Sequence, residues 1–450
     1  MPAAATRGAP PGPAGFPVVG VFPMARRDPL GFFTECVRRH GDLVAMRLGP
    51  HHVYLLRHPD HVKHVLQDNA RAYAKSPTVS RVRPLFGESL TMVDGDRWRG
   101  RRRQVQPAFQ PGLHARFASV VSRAVAELLE RWRPLAEGGE PAELAGEMRR
   151  LTQTIIIRAC FGEVSAGELQ TLGQALDAAV THVDRRLWSP LGWLDVPSPA
   201  GARYRRALGQ VEAFIARVTA EARRAGPRPG TMLATLLEAS DSLTSPEVHD
   251  ELRAFLFAGH TTTASALAWV WHVLSEHPQA RELIEEECFA VLGGREPRLE
   301  DLPSLAETRR VIEEVLRLYP PTWLTARSPV EDDSLGGYVI PAGALVLLSP
   351  YLTHRHPAVW DDPERFDPDR FIPDRAAMRP PFAYFPFGGG PRRCIGSAFA
   401  TMEMQMIVAT VAQRYRPALP PGARVLPAPG LTLRPSSPLL ARILSRCKVN

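Results

Sequence analysis

One cysteine at the tip of a glycine-rich loop is the residue of this chain best placed to do chemistry. The segment PFAYFPFGGGPRRCIGSAFATMEMQMIVATVAQRY spans residues 381–415. Gly388, Gly389 and Gly390 permit conformations and close approaches that a side chain would block, and Pro391 stiffens the exit. A tight loop is thereby held in one shape, with Cys394 at its tip. Residues 397–413 have helical periodicity, and amides at a helix N-terminus favour the anionic form of a nearby sulfur. A thiolate is the state that binds iron. Gly396 lets the chain pass close to a flat ligand, Phe387 offers an aromatic face and Arg392 a fixed cation for a propionate, so the loop suits a haem. The rival reading is a phosphate-cradling glycine loop, but no Gly-Lys-Ser or Gly-Lys-Thr follows and no strand clearly feeds it. Cys36, Cys160, Cys288 and Cys447 read as small buried hydrophobes.

Other spacings add to this. In VIEEVLRLYPP, Glu314 and Arg317 lie three apart on a helix and share a face where they can pair; alone this is a surface salt bridge of little consequence. Pro363-Glu364-Arg365-Phe366 supplies a second arginine downstream. In DGDRWRGRRRQVQPAF, Trp98 and Arg102 are four apart on a helix, so an indole N–H and a guanidinium can reach one acceptor. Arg101 and Arg103 point elsewhere, towards solvent or a protein partner. Residues 247–277 predict a helix roughly 45 Å long, with Phe255-Leu256-Phe257-Ala258-Gly259-His260-Thr261-Thr262-Thr263 at its middle. Its glycine costs about 1 kcal/mol relative to alanine. Space for a ligand is one offsetting benefit, and close packing of a core helix is another. The threonine hydroxyls can bond back to the preceding turn and open a local kink.

The run Phe387-x-x-Gly390-x-Arg392-x-Cys394-x-Gly396 resembles the haem-binding signature of cytochromes P450 at every defining position. The Glu314-x-x-Arg317 helix, the Pro-Glu-Arg-Phe stretch and the Trp98-x-x-x-Arg102 pair are similar to further motifs of that family. They follow in the order of a soluble bacterial-type member over nearly the whole chain. The resemblance implies haem b (iron protoporphyrin IX), with Cys394 as the proximal iron ligand and Phe387, Arg392 and Gly396 around it. It also implies Trp98, Arg102 and Arg327 at the propionates, and a buried charge triad of Glu314, Arg317 and Arg365 behind the loop. Ala258 and Gly259 would form the floor beside the iron, and Thr262 would position dioxygen and its protons. Thr261 departs from the family, filling a slot that normally holds Asp or Glu. A relay through Thr261, Thr262 and ordered water is then expected. His260 can titrate near neutrality, but it projects about 100° from Thr261 and reads equally as a solvated or structural histidine.

The elements that must position these groups give a mainly α fold with a small β portion. Helical patterns cover 29–40, 114–132, 143–160, 168–183, 202–224, 232–239, 247–277, 278–292 and 305–318. Strand signals lie in 43–57, around a Gly49-Pro50 turn, and in 336–350. Residues 1–25 are expected as an extended Pro-rich segment and 26–450 as a single cytochrome P450 domain, with a long central helix and the cysteine loop around a buried haem.

Composition narrows the setting. The formal charge of +8 comes from scattered arginines, with Lys63, Lys75 and Lys448 the only lysines. No finger or RNA-recognition signature accompanies them, so no nucleic acid is expected. Five cysteines, widely spaced and without a CxxC pair, argue against a disulfide framework or zinc site and for a reducing cytoplasm. Prolines and glycines interrupt every early apolar run, so neither signal peptide nor membrane span is expected there. The implied activity is a monooxygenase, expected as a monomer. It would oxidise a hydrophobic small molecule such as a terpenoid, polyketide or fatty acid, using O2 and electrons from a ferredoxin and ferredoxin reductase that dock near Arg392 and Arg393. Pocket walls are expected from 79–90, 187–194, 255–262 and 323–325. Two alternatives stand beside it: a peroxide-driven or isomerising haem-thiolate enzyme, made thinkable by the missing acid, and a catalytically inactive partner protein, against which intact Cys394 and Thr262 weigh.

Overall fold

Alternating apolar residues in 43–57 give two strands, Leu43–Leu48 and His51–Leu56, paired antiparallel with Leu43 opposite Leu56. They begin a five-stranded sheet that continues through Leu345–Leu348, Thr325–Pro329 and Tyr73–Lys75. His51–Leu56 and Leu345–Leu348 run parallel, and the other neighbours are antiparallel. Side chains two apart on a strand share a face. One face therefore carries Tyr54, Leu56, Val346 and Leu348 into a buried cluster with Val65, Leu66, Tyr73 and Phe385. Phe385, nine residues before Cys394, is fixed by that packing.

The computed structural model describes residues 8–187, 189, 198–239, 243–422 and 424–446. Most of the expected wall 187–194 and Cys447 lie outside them. The chain gathers into two compact units. One takes the residues up to Ser80 and Leu316–Cys394, and holds this sheet, the Pro29–His40 helix and a small Asp333–Leu335/Tyr338–Ile340 hairpin. The expected extended lead-in ends early, because Phe22–Arg27 is already helical with a proline in its first turn.

The other unit, Arg81–Val315 with the chain from Ile395 onward, is built on helices. Gly95–Val105, His114–Gly138, Leu144–Phe161, Ala166–Leu187, Pro199–Ala225, Met232–Glu238, Pro278–Leu292 and Ser397–Arg414 belong to it. Its longest helix, Ser245–Glu276, starts at a capping box of Thr244 and Glu247 and runs unbroken through Gly259 and the three threonines. Five further short strands were not anticipated: Pro141–Glu143 and Tyr415–Ala418 flank Leu440–Ser445, and Pro427–Pro429 pairs with Leu433–Pro435. They are brief and mostly proline-bearing, so no period-2 signal marks them.

Ala306–Leu318 carries Glu314 and Arg317, both fully buried. Arg317 donates to the carbonyls of His354 (3.0 Å), Pro363 (2.7 Å) and Arg365 (3.1 Å), and its guanidinium lies 5.1 Å from the centre of the Trp360 ring. Of the expected triad, the Arg365 side chain is 64 % exposed rather than buried and reaches Asp367 at 2.8 Å, while its carbonyl accepts from Arg317.

Replacing Arg317 with leucine removes the donor from three carbonyls, at roughly 1–3 kcal/mol for each one left unsatisfied. Urea titration is expected to show a loss of more than about 3 kcal/mol in unfolding free energy; a loss below about 1 kcal/mol would mean those bonds carry no stability.

Candidate active site

Cys394 is exposed, whereas Cys36, Cys160 and Cys288 are buried. Burial pushes those three thiols up, to about 11 for Cys36 and about 12 for Cys288, so they stay protonated and inert. The cysteine loop is closed by its own backbone. Gly388 N–H donates to the Phe385 carbonyl (2.9 Å), Arg393 N–H to Gly390 (3.1 Å) and Cys394 N–H to Phe387 (2.9 Å). A Cβ on Gly389 would sit 2.0 Å from the Phe382 ring. One on Gly390, where φ is +62°, would sit 1.8 Å from the Leu66 carbonyl oxygen. At Gly396 neither constraint applies: φ is −86° and a Cβ would meet nothing nearer than the Phe109 ring at 3.5 Å.

Behind the loop stands a residue that sequence reasoning missed. His354 is fully buried; its Nε2 accepts the Phe385 N–H (2.9 Å) and its Nδ1 contacts the Arg317 carbonyl (3.3 Å). An amide can only donate and a carbonyl only accept, so the ring is a neutral tautomer with its proton on Nδ1. Burial, reinforced by the Arg317 charge, holds its pKa well below the usual histidine range. No spacing in LTHRHP marks His354, because its partners are main-chain atoms distant in sequence.

Trp98 and Arg102 are half-buried on Gly95–Val105, beside a cleft of about 500 Å³ lined by Asp96, Trp98, Arg99, Arg102 and Arg103. Arg101 is corrected. It does not face solvent but is 5 % exposed, donating to Glu251 (2.9 Å) and pairing with Glu247. A cation on that inner face needs a buried carboxylate. Arg327, in the other unit on Thr325–Pro329, donates to the Ala326 carbonyl (2.9 Å) and Thr325 Oγ1 (3.3 Å). Phe387 and Arg392 are half-buried in the loop.

On the long helix the hydroxyls of Thr261, Thr262 and Thr263 each bond back four residues, to Phe257 (3.0 Å), Ala258 (2.9 Å) and Gly259 (3.3 Å). Ala258 is exposed amid buried neighbours, and Thr262 lies one turn along the same stripe. A Cβ on Gly259 would land 2.8 Å from Ile156 Cδ1, so this glycine packs closely against Leu144–Phe161. His260 faces that same helix, whose Thr152 donates to its carbonyl (3.1 Å). It is fully buried, its Nδ1 is 2.6 Å from the Leu256 carbonyl and its Nε2 has no hydrogen-bond partner among the described residues. Burial lowers its pKa to about 4, which favours the neutral ring.

The expected pocket wall around 79–90 is strapped to the long helix. Asp250 accepts the Glu88 N–H (2.8 Å), and Glu251 Oε1 accepts the Leu90 N–H (2.7 Å) together with Arg101. Glu251 Oε2 is buried with no hydrogen-bond partner among the described residues.

Within the first unit, the exposed Cys394 thiol and the half-buried Arg392 are donors that suit an iron-bearing, anionic group; within the second, the half-buried Trp98 and Arg102 are donors that suit an anion, and neither backbone nor protein packing requires a glycine at 396. A second cluster does not suit a metal. Asp42, His58 and His356 offer ligand atoms within 4.8 Å of one another. However, Arg57 already pairs with Asp42 at 2.7 Å, and both histidine Nδ1 atoms accept backbone N–H bonds at 3.2 Å, which leaves their Nε2 atoms protonated. Among the described residues, no helix is long and apolar enough to cross a membrane.

The Cytochrome P450 family profile matches residues 10–441. Cyclooctat-9-en-7-ol 5-monooxygenase of Streptomyces melanosporofaciens is 37 % identical over 94 % of this chain and 90 % of its own. Pentalenene oxygenase of Streptomyces avermitilis is 32 % identical over 96 % and 97 %. A retinoic acid-bound cyanobacterial CYP120A1 superposes with a TM-score of 0.85 at 26 % identity, covering 97 % of this chain and 99 % of that one.

Burial outweighs Arg101 at Glu251 and raises its pKa to about 7. A carboxyl raised on folding stabilises the fold at low pH, and that contribution is lost as pH rises from about 4.5 through about 7. Glu251→Gln keeps an acceptor for Leu90 but cannot ionise. Its stability relative to wild type is expected to improve steadily between pH 5 and 8 in parallel denaturation series; a pH-independent difference would contradict the assignment.

Proposed function

The chain belongs to the cytochrome P450 family and is a monooxygenase of it, and on that premise we propose that it oxidises a cyclic terpenoid, with haem b held by Cys394. The observation that carries this reading is the sulfur itself: one exposed thiol on a loop closed by its own amides, beside three cysteines that burial keeps inert. When bound, the haem supplies dioxygen activation and the delivery of one oxygen atom to a C–H bond.

The chain's own residues supply the rest. Cys394 ligates as the thiolate, favoured by the N-terminus of Ser397–Arg414 three residues on. Phe387 and Gly396 would pack against the haem, and Arg102, Arg327 and Arg392 with the Trp98 indole N–H would neutralise its propionates. Glu314 and Arg317, the latter holding the Arg365 carbonyl, would keep the chain in place behind the loop. Ala258 would leave room for a substrate. Thr262 and Thr261 donate to carbonyls one turn back, so their oxygens accept from water, which gives a hydroxyl–water relay where the family's acid is replaced.

Cyclooctat-9-en-7-ol and pentalenene, named in two relatives that align over more than nine-tenths of this chain, point to cyclic terpenoid substrates. Electrons come singly from a ferredoxin and its reductase, docking beside Arg392 and Arg393. A cytoplasmic setting suits the four described cysteines, which are all free, and the protein acts there as a monomer. Thr261 in the acid position favours one second reading, turnover driven by peroxide without ferredoxin.

Three measurements test the proposal. Cys394→Ser is expected to abolish the red-shifted Soret band of the reduced, carbon monoxide-bound protein; an intact band would end the ligand assignment. Thr262→Ala is expected to raise peroxide release per electron pair several-fold, and unchanged coupling would remove its role. In a screen by substrate-induced spin-state shift, cyclic terpenes should respond ahead of fatty acids, while turnover with peroxide but not ferredoxin selects the second reading.

A further inference from the structure

In the unit that holds the sheet, the half-buried His58 and the buried His356 each spend a ring nitrogen on the backbone. His58 precedes the Pro59–Lys63 helix, and its Nδ1 accepts the Asp60 N–H (3.2 Å). His356 Nδ1 accepts the Ala358 N–H (3.2 Å), and its Nε2 donates to Asp42 Oδ1 (3.2 Å), which Arg57 also holds (2.8 Å). The two rings meet edge-on with centres 5.2 Å apart, and the His61 ring lies 5.6 Å from that of His58. Asp60 is exposed, with a carboxylate oxygen 3.6 Å from His58 Nδ1. Arg355, next to His356 in the chain, is taken up by Glu364 and the Tyr351 ring. Among the described residues, then, Asp42, Arg57, Asp60 and three imidazoles are the charged and titratable groups that meet here.

A neutral imidazole accepts on one nitrogen only. In both rings that nitrogen is occupied by a main-chain N–H, so a second proton must displace the amide it faces. Protonated His58 has the Asp60 carboxylate to turn to, whereas His356 meets Asp42 on the opposite nitrogen and has only the Ala358 N–H on Nδ1. Charge on one ring also opposes charge on the next. Burial lowers the pKa of His356 and of His61 from the ordinary 6.5, outweighing Asp42. A histidine kept neutral by folding lends stability that is full above about 6.5 and is lost as pH falls from there through the lowered value. The turn it caps leads to the cysteine loop. The His356 carbonyl accepts the Val359 (3.0 Å) and Trp360 (2.9 Å) N–H groups, and the Trp360 ring faces the Arg317 guanidinium. His354, two residues earlier, holds the Phe385 N–H.

We propose that His58 and His356 form a proton-operated catch on the turn behind the cysteine loop. Protons taken up in mildly acidic solution release the Asp60 and Ala358 N–H groups and loosen residues 354–360. Through His354 and Phe385 the loosening reaches the loop, so acid reversibly switches off ligation by Cys394. That last step rests on Cys394 as the iron ligand; the catch itself does not.

The test compares full-length wild type, as purified with its haem, with His58→Asn, His356→Asn and the double variant. An asparagine carbonyl reaches the N–H two residues on and cannot take a proton there. The first readout is amide hydrogen exchange, with the chemical rate divided out. Between about pH 7.5 and about pH 5.5, wild-type exchange over 354–360 should rise roughly tenfold, the scale of one lost hydrogen bond, while the double variant stays within about twofold. The second is the red-shifted Soret band of the reduced, carbon monoxide-bound protein. In wild type it should fall over the same interval and return on back-titration, and in the double variant it should persist. A wild-type rise below about twofold, or an equal rise in the double variant, overturns the catch. A band that stays constant while exchange rises overturns the switching of Cys394. Should the double variant not fold, each single variant decides at its own amide, Asp60 or Ala358, where an undiminished rise overturns the proposal. A wild type without the red-shifted band at any pH sinks the haem-thiolate reading, and exchange then decides the catch alone.

Discussion

The geometry of the cysteine loop depends on one buried guanidinium. Arg317 holds three carbonyls, and one of them belongs to His354. His354 passes the constraint on, since its ring bridges the Arg317 carbonyl to the Phe385 N–H. Phe385 then accepts from Gly388, and Phe387 from Cys394. Every step has a fixed donor and acceptor, because a guanidinium only donates, a carbonyl only accepts and the imidazole is held in one neutral tautomer. Sheet packing around Phe385 and the close approach of Gly390 to Leu66 leave the loop no second arrangement. A side chain positioned this way costs little reorganisation when it binds a partner.

The long helix divides its labour by face. Gly259 and His260 meet Leu144–Phe161, where one methyl group would collide and one imidazole is kept neutral by burial. Ala258 and Thr262 lie on the open stripe. Three turns before Thr262, Glu251 joins Asp250 in gripping the backbone of Glu88 and Leu90. The backbone of Glu88 and Leu90 and the Leu433 carbonyl of the proline-bearing hairpin are thus tied to this helix by a few polar bonds. Such bonds are directional, so they fix position where apolar contact alone would allow sliding.

Thr261 shows how a local departure is accommodated. A carboxylate there would need a partner or water to stay charged. The threonine instead bonds to Phe257, one turn back, and makes no demand on the pocket.

The sequence by itself determined what depends on local pattern and covalent order. Helix periodicity located most of the helices, Pro29–His40 and Pro278–Leu292 among them at their observed bounds. The family was legible in the Cys394 loop, in Glu314 with Arg317 and in Trp98 with Arg102, because each motif is a spacing within a few residues. Only the tertiary structure decided which face a side chain meets. It moved Gly259 and His260 to a helix–helix contact and buried Arg101 against Glu251. It also exposed Arg365 and gave His354 and Asp184 partners from 31 to 250 residues away. Spacing specifies neighbours along one element, whereas burial and the partner across a gap depend on segments that the chain brings together only on folding.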